Sequence, residues 1–212
     1  MVQWQQVLLE RVRLAGPAVR AVQPYGSVLT PADLDRWSDL DVELELVADV
    51  DASVLFGGEP WAWQDTVDEG VQRVRLVLRD GRRVDAAARG ASILLPTPAA
   101  DNSARFDLAL AATRFGRGAD VIGLHLTLGV VRDALVQRML VADRREGTAH
   151  HRFGSGSDGA AASALAALAG EPSPALAMRV ASFSAESRAA ADHDYRPDWS
   201  GLTALLAMSA EH

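Results

Sequence analysis

The most regular stretch of the chain is Asp39-Leu-Asp-Val-Glu-Leu-Glu-Leu46, in which every odd position is acidic and every even one aliphatic. A period of two predicts a strand with one face buried and the other, here strongly negative, turned to water. Residues 19–24 predict a shorter strand that runs into Tyr25-Gly26-Ser27. Residues 71–78 and 83–88 predict a hairpin, because the Asp80-Gly81 pair between two β-rich runs favours a tight reversal. Helical spacing marks residues 2–15, where Trp4, Val7, Leu8, Arg11 (by its stem) and Leu14 recur before Gly16-Pro17 ends the pattern. Thr30-Pro31-Ala32-Asp33 predicts another helix start, with Thr30 as N-cap, Pro31 in the first position and Asp33 completing a capping box.

Past a Pro-punctuated connector at residues 95–103 the periodicity is helical throughout. The candidate helices cover 103–115, 119–145, 160–169, 174–191 and 200–210. The expected fold class is therefore α+β: a mixed-sheet domain over residues 1–100, followed by an α-helical bundle over residues 101–212. Gly154-Ser-Gly-Ser-Asp-Gly159 contains a literal GxGxxG. It follows a helix rather than a strand and has no acidic residue at the expected later spacing, so it reads as a flexible loop and not a dinucleotide site.

Composition narrows the class. Hydrophobic residues make up 49% and charged ones 23%, enough apolar material for real cores and against disorder as the dominant state. The net charge of -7 disfavours a general nucleic-acid-coating role, which usually needs a basic surplus. With no Cys there is no disulfide, thiolate nucleophile or Cys-based zinc site. Neither a signal-peptide pattern nor a run of about 20 apolar residues is found, so a soluble, cytoplasmic protein without membrane partners is expected. Every cationic side chain except His is Arg, whose planar fork suits phosphate.

The acidic residues carry the candidate chemistry. Asp39 and Asp41 leave one face of a strand about 7 Å apart at the backbone. Asp85, within Arg83-Val84-Asp85-Ala86, would join them if its strand is a neighbour. Like charges so gathered raise one another's pKa unless a cation neutralises them. A hard divalent ion with oxygen ligands, Mg²⁺ first, is the natural one. Gly26-Ser27 adds the complementary half: a glycine lets backbone approach a ligand closely, and Ser27 offers a hydroxyl and an N–H to a phosphate oxygen.

Taken in order, Tyr25-Gly26-Ser27, eleven further residues, Asp39-Leu-Asp-Val42, and then Val84-Asp85-Ala86 resemble the nucleotidyltransferase superfamily related to DNA polymerase beta. The nearest likeness is to its antibiotic-modifying branch, the aminoglycoside and lincosamide adenylyltransferases. The motifs cover residues 20–90, and the helical second half matches the branch in architecture. The resemblance implies a nucleotidyltransferase domain followed by a helical acceptor-side domain. It implies that Asp39 and Asp41 bind metal and that Asp85 is the third carboxylate, as ligand, general base or both. Family members often place Arg directly after the Gly-Ser pair, where this chain has Val28. A cation for the triphosphate must then come from elsewhere, with Arg36, Arg73 and Arg105 as the candidates.

The implied activity is Mg²⁺-dependent transfer of a nucleoside monophosphate, AMP from ATP first, to a hydroxyl of a small molecule such as an aminoglycoside or lincosamide. Two rivals stand beside it: a protein-modifying nucleotidyltransferase of a toxin–antitoxin system, and a non-catalytic nucleotide-binding module. His150, His151 and Arg152 could reach the nucleotide or acceptor, or could cap a helix end. His125, Arg132 and Asp133 could line a cleft or lie on the surface. Trp61 and Trp63 could stack on a ligand, although packing is the more ordinary use of buried Trp.

Overall fold

The computed structural model describes residues 4–30, 32, 34–147, 154 and 156–208. The chain folds as α+β with a mixed sheet and several helices, and among the described residues no helix is long and apolar enough to cross a membrane. Contacts divide it into two compact units, residues 1–106 with 200–212, and residues 107–199. By contacts, the divisions fall at 106/107 and 199/200. The start of the first long helix and the whole C-terminal helix belong with the sheet, because their apolar side chains pack there.

In the first unit, α1 (Trp4–Arg13) leads into β1 (Val19–Tyr25), and the chain then makes a single 3-10 turn over Gly26–Leu29. After β2 (Leu40–Leu46) come the short β3 (Val50–Asp51) and α2 (Ala52–Phe56). Strands β4 (Pro60–Asp68), β5 (Val71–Leu78) and β6 (Arg83–Arg89) follow, with β7 (Ile93–Leu94) closing the sheet region. Among the described residues the strand order is β1-β2-β6-β5-β4, with β2 and β6 parallel and the other neighbours antiparallel. Strands β3 and β7 form a separate two-stranded parallel pair.

The alternation in β2 produces the predicted two faces. Leu40, Val42, Leu44 and Leu46 are buried with Val84, Ala86 and Ala88 of β6, Val74, Leu76 and Leu78 of β5, and Leu8 and Val12 of α1. At about 1.5–3 kcal/mol per fully buried aliphatic side chain, this layer is the main force that fixes strand register. The Asp80-Gly81 hairpin is present as a three-residue loop. Leu78 N–H donates to Arg82 O at 2.8 Å, Gly81 N–H donates to Leu78 O at 2.9 Å, and Gly81 takes φ +87°. This is a turn followed by a left-handed glycine, the usual three-residue solution. Missing from the sequence expectations was β4, which turns into β5 through Glu69 and Gly70, both at positive φ. Its Trp61 and Trp63 are buried, so packing is their role.

Helix α3 (Asn102–Gly116) begins in the first unit, where Asn102 Oδ1 accepts from Trp63 N–H and its Nδ2 donates to Trp63 O. Helix α7 (Ser200–Met208) packs on the sheet so closely that a Cβ on Gly201 would lie 2.5 Å from the Trp61 ring. The second unit is helical: the rest of α3, α4 (Asp120–Glu146), α5 (Ala160–Leu168) and α6 (Pro174–Ala191). Gly123 lets α4 meet Phe115 of α3, and Arg138 Nε donates to Ser187 Oγ at 2.8 Å, tying α4 to α6.

The helix start expected at Thr30 is not formed. Thr30 instead ends the 3-10 turn, its N–H donating to Ser27 O at 3.1 Å. Pro31 and Asp33 lie outside the described residues, as do His150, His151 and Arg152. Downstream, Asp35 organises a compact reversal: its Oδ1 accepts from Trp37 N–H at 2.8 Å and from Ser38 Oγ at 2.9 Å.

Candidate active site

Two anchors deliver Asp39 to the start of β2. Buried Gln5 of α1 donates from Nε2 to Ser38 O at 3.2 Å, and buried Arg83 of β6 donates from Nη2 to Trp37 O. Both bonds satisfy carbonyls that a non-repetitive segment would otherwise leave unmade on burial. From Asp39 onward the strand pairing sets the geometry. Asp41 stands opposite Asp85 across the parallel β2–β6 register and opposite Tyr25 across β1–β2. Asp85 in turn faces Arg75 across β5–β6. Four residues from four adjacent strands therefore occupy one row of one sheet face, since directly paired residues project to the same side.

Gly26 closes this row from the turn. It has φ +67°, and a Cβ added there would lie 2.4 Å from Asp41 Oδ2. Backbone conformation and carboxylate thus both demand glycine at this position. Ser27 is half-buried in the same turn. Val28 is buried in the core, so no side chain from that position could turn toward a phosphate as an Arg would.

Electrostatics link the row. The Asp85 carboxyl is pushed above its ordinary value, first by burial; Asp39 pushes the same way, while Arg75 and Arg73 oppose. The Tyr25 hydroxyl is pushed up to about 12 by burial and by the negative charges of Asp85, Asp41 and Glu43, against Arg73. Arg73 is therefore close enough to act on both groups. Arg36 instead stacks 5.3 Å from the Trp37 ring centroid. Arg105, the third cation considered, is buried, pairs with Asp101 at 2.6 Å and stacks over Trp61, so its charge serves α3 and the core.

Two residues of the row were not singled out in the sequence. Tyr25 carried a motif but no role. Arg75, whose Nε lies 3.3 Å from Asp85 Oδ2, was missed entirely. A signal for it existed. The residues that β5 and β6 give to the main core cluster (Val74, Leu76, Leu78, Val84, Ala86 and Ala88) are all even-numbered, so pairing them on one face needs positions that sum to an even number and a hairpin loop with an odd number of residues. That excludes the two-residue Asp-Gly turn, which would set Leu76 opposite Asp85. With a three-residue loop, Arg75 takes that place.

Hard oxygen donors on adjacent strands, with a glycine cradle at Asp41, suit a divalent ion in kind. As the side chains stand, no group of three or more His, Asp or Glu among the described residues is gathered closely enough to hold one. The Asp85 carboxylate is turned to Arg75. In the helical unit, burial and the Asp133 charge raise the Asp107 carboxyl, against His125. Arg132 and Asp133 are exposed and pair with each other at 2.9 Å. Compared with known proteins, the chain matches no family model and no curated protein sequence.

Proposed function

We propose that the chain is a Mg²⁺-dependent nucleotidyltransferase that moves a nucleoside monophosphate, AMP from ATP first, onto a hydroxyl of a small molecule. The observation that carries this reading is the junction of turn and strand. Gly26 approaches Asp41 so closely that a Cβ is excluded, and Asp41 stands directly opposite Asp85. A glycine turn with a serine hydroxyl and a carboxylate pair in such proximity suit a ligand that brings both phosphate and a divalent cation, which is what a nucleoside triphosphate does.

Asp39, Asp41 and Asp85 would hold the ion. Bound there, it would neutralise triphosphate charge and stabilise the departing pyrophosphate. Ser27 would donate its hydroxyl and N–H to the terminal phosphates, and Arg73 would add positive charge beside Asp85 and Tyr25. Asp85 would complete the metal site and accept the proton of the attacking hydroxyl. Glu43 adds negative charge to the same face and favours a cationic acceptor such as an aminoglycoside. Glu45 contributes less, being paired with Arg20 at 2.8 Å. The Cys-free chain suits the reducing cytoplasm.

The test is a thermal-shift screen with the four nucleoside triphosphates and Mg²⁺ or Mn²⁺, on wild type and on Asp39→Asn/Asp41→Asn. A ligand bound only by the folded state raises Tm by mass action. Stabilisation by one triphosphate with metal, lost in the double variant, supports the site and names the donor. Pyrophosphate release on adding candidate acceptors then separates an enzyme from a non-catalytic nucleotide-binding module. No shift with any triphosphate in the wild type overturns the proposal.

A further inference from the structure

Helix α4 buries one side and leaves an apolar surface on the other. Gly123, Thr127, Val130, Val131 and Ala134 are buried within the helical unit. Opposite them, Val121, Ile122, Leu124, Leu128, Val136 and Leu140 are between 40% and 83% exposed. Single exposed aliphatic residues are ordinary. Six on one helix make a patch of several hundred square ångströms, the size at which such patches commonly serve in binding.

Leu124, Leu128, Arg132, Val136 and Leu140 succeed one another in steps of four, so they form one continuous ridge along the helix. The ridge is symmetric about its middle. Two large aliphatic side chains stand on each side of Arg132. Arg132 Nε and Nη2 both donate to Oδ1 of the exposed Asp133, at 3.0 and 2.9 Å.

That symmetry selects the partner. A second copy of α4 laid antiparallel, with a two-fold axis through the ridge centre, sets Leu124 and Leu128 of one copy beside Leu140 and Val136 of the other. It also brings each Arg132 to the other copy's Asp133, so two surface ion pairs merge into one network of four charges. Opposed helix dipoles favour the same orientation. A parallel pair would set Arg132 against Arg132, and an unrelated partner would have to reproduce the same palindrome of apolar and charged positions. Length is sufficient. The 27 residues of α4 span about 40 Å, and a standard interface takes roughly 800 Å² from each partner.

We propose that the chain forms a two-fold homodimer through the exposed side of α4, with the ridge from Leu124 to Leu140 as its apolar core and Arg132 and Asp133 as the charges that fix its antiparallel register. The surface lies wholly within the helical unit and owes nothing to the chemistry proposed for the sheet.

Sedimentation equilibrium of the full chain, from about 1 to about 200 µM, measures this association directly. Wild type should be dimeric over the upper part of that range. Leu128→Glu should weaken dimerisation by about 100-fold or more, because it places a charge in the apolar core twice per dimer. Circular dichroism checks its fold, and if Leu128→Glu unfolds, Val136→Gln takes its place with a loss in the same direction. Two further variants test whether the charges meet. Arg132→Glu leaves two acids at the ridge centre and Asp133→Arg leaves two cations, so each should weaken self-association by about tenfold. An equimolar mixture of the two should pair with wild-type affinity. A wild type that stays monomeric throughout overturns the proposal, as does a dimer that the folded apolar-core variant leaves unchanged. A mixture that pairs no better than either charge variant alone overturns the charge-matched register and the proposal with it.

Discussion

The two ends of β2 carry the same pattern and have different surroundings. At its start, Asp41 meets Gly26, Tyr25 and Asp85, with Asp39 anchored just ahead by the Gln5 and Arg83 bonds to the preceding carbonyls. At its end, Glu45 stands opposite Arg89 and forms an ion pair with Arg20 at 2.8 Å. Period-two alternation sends all four acids to one face, but the neighbours decide what each can do. An acid balanced by exposed arginines is solvated surface. A row of acids set against a glycine turn and a neighbouring carboxylate concentrates negative charge at one end of the strand.

The largest expected difference between the two ends is in activity. On the proposed function, Asp41→Asn should lower nucleotidyl transfer by about 100-fold or more, the usual loss when a group that stabilises transition-state charge is removed. Glu45→Gln should leave the rate within about twofold, because its charge is screened and already balanced. Steady-state pyrophosphate release from both variants checks the pair, and comparable losses would mean that the ends are not chemically distinct.

Gly26→Ala follows in size. The left-handed backbone and the 2.4 Å approach to Asp41 Oδ2 should together cost about 1–3 kcal/mol in urea unfolding. The stabilising shift by triphosphate should disappear with it. A variant that keeps wild-type stability would show that the turn yields easily and that the Gly26–Asp41 contact is not a constraint.

Asp85 predicts a smaller, pH-dependent effect. Its carboxyl is raised in the folded state, first by burial, so the fold holds this proton more tightly than the unfolded chain does. Its contribution to stability is therefore full below the ordinary carboxylate pKa and declines as pH rises through the folded value. Asp85→Asn, a neutral stand-in for the protonated acid, should remove that decline. Metal-free urea unfolding from about pH 4 to about pH 7 should show wild type losing up to about 1 kcal/mol relative to the variant, after allowance for solvent screening. Parallel pH profiles would mean that Arg75 compensates burial completely. Smallest is Arg20→Ala at the far end, with an expected loss below about 1 kcal/mol and no change in nucleotide-induced Tm.

Much of this arrangement was legible in the chain itself. The faces of β2, the helical spans of the second half and the β5–β6 hairpin all follow from local periodicity and turn chemistry. Strand β4 was not legible, because Trp61 and Trp63 precede an exposed tail and Glu69-Gly70 is an uncommon turn pair. The helix expected at Thr30 gives way to the end of the 3-10 turn, with a separate turn held by Asp35, Trp37 and Ser38 downstream. Of the three cations considered for the triphosphate, Arg105 had the wrong neighbours: Asp101 and Trp61 claim it within the core.

By itself, then, the sequence determined which residues alternate, where the chain reverses and which side chains are able to carry chemistry, since those depend on near neighbours and backbone preference. Only the tertiary structure decided that β2 and β6 run side by side in parallel, that Asp41 faces Asp85, and that Arg75 holds that carboxylate. These pairings join residues more than forty positions apart or depend on a loop one residue longer than the simplest turn. Burial of one continuous apolar layer selects them, and the polar row on the opposite face takes its register from that choice.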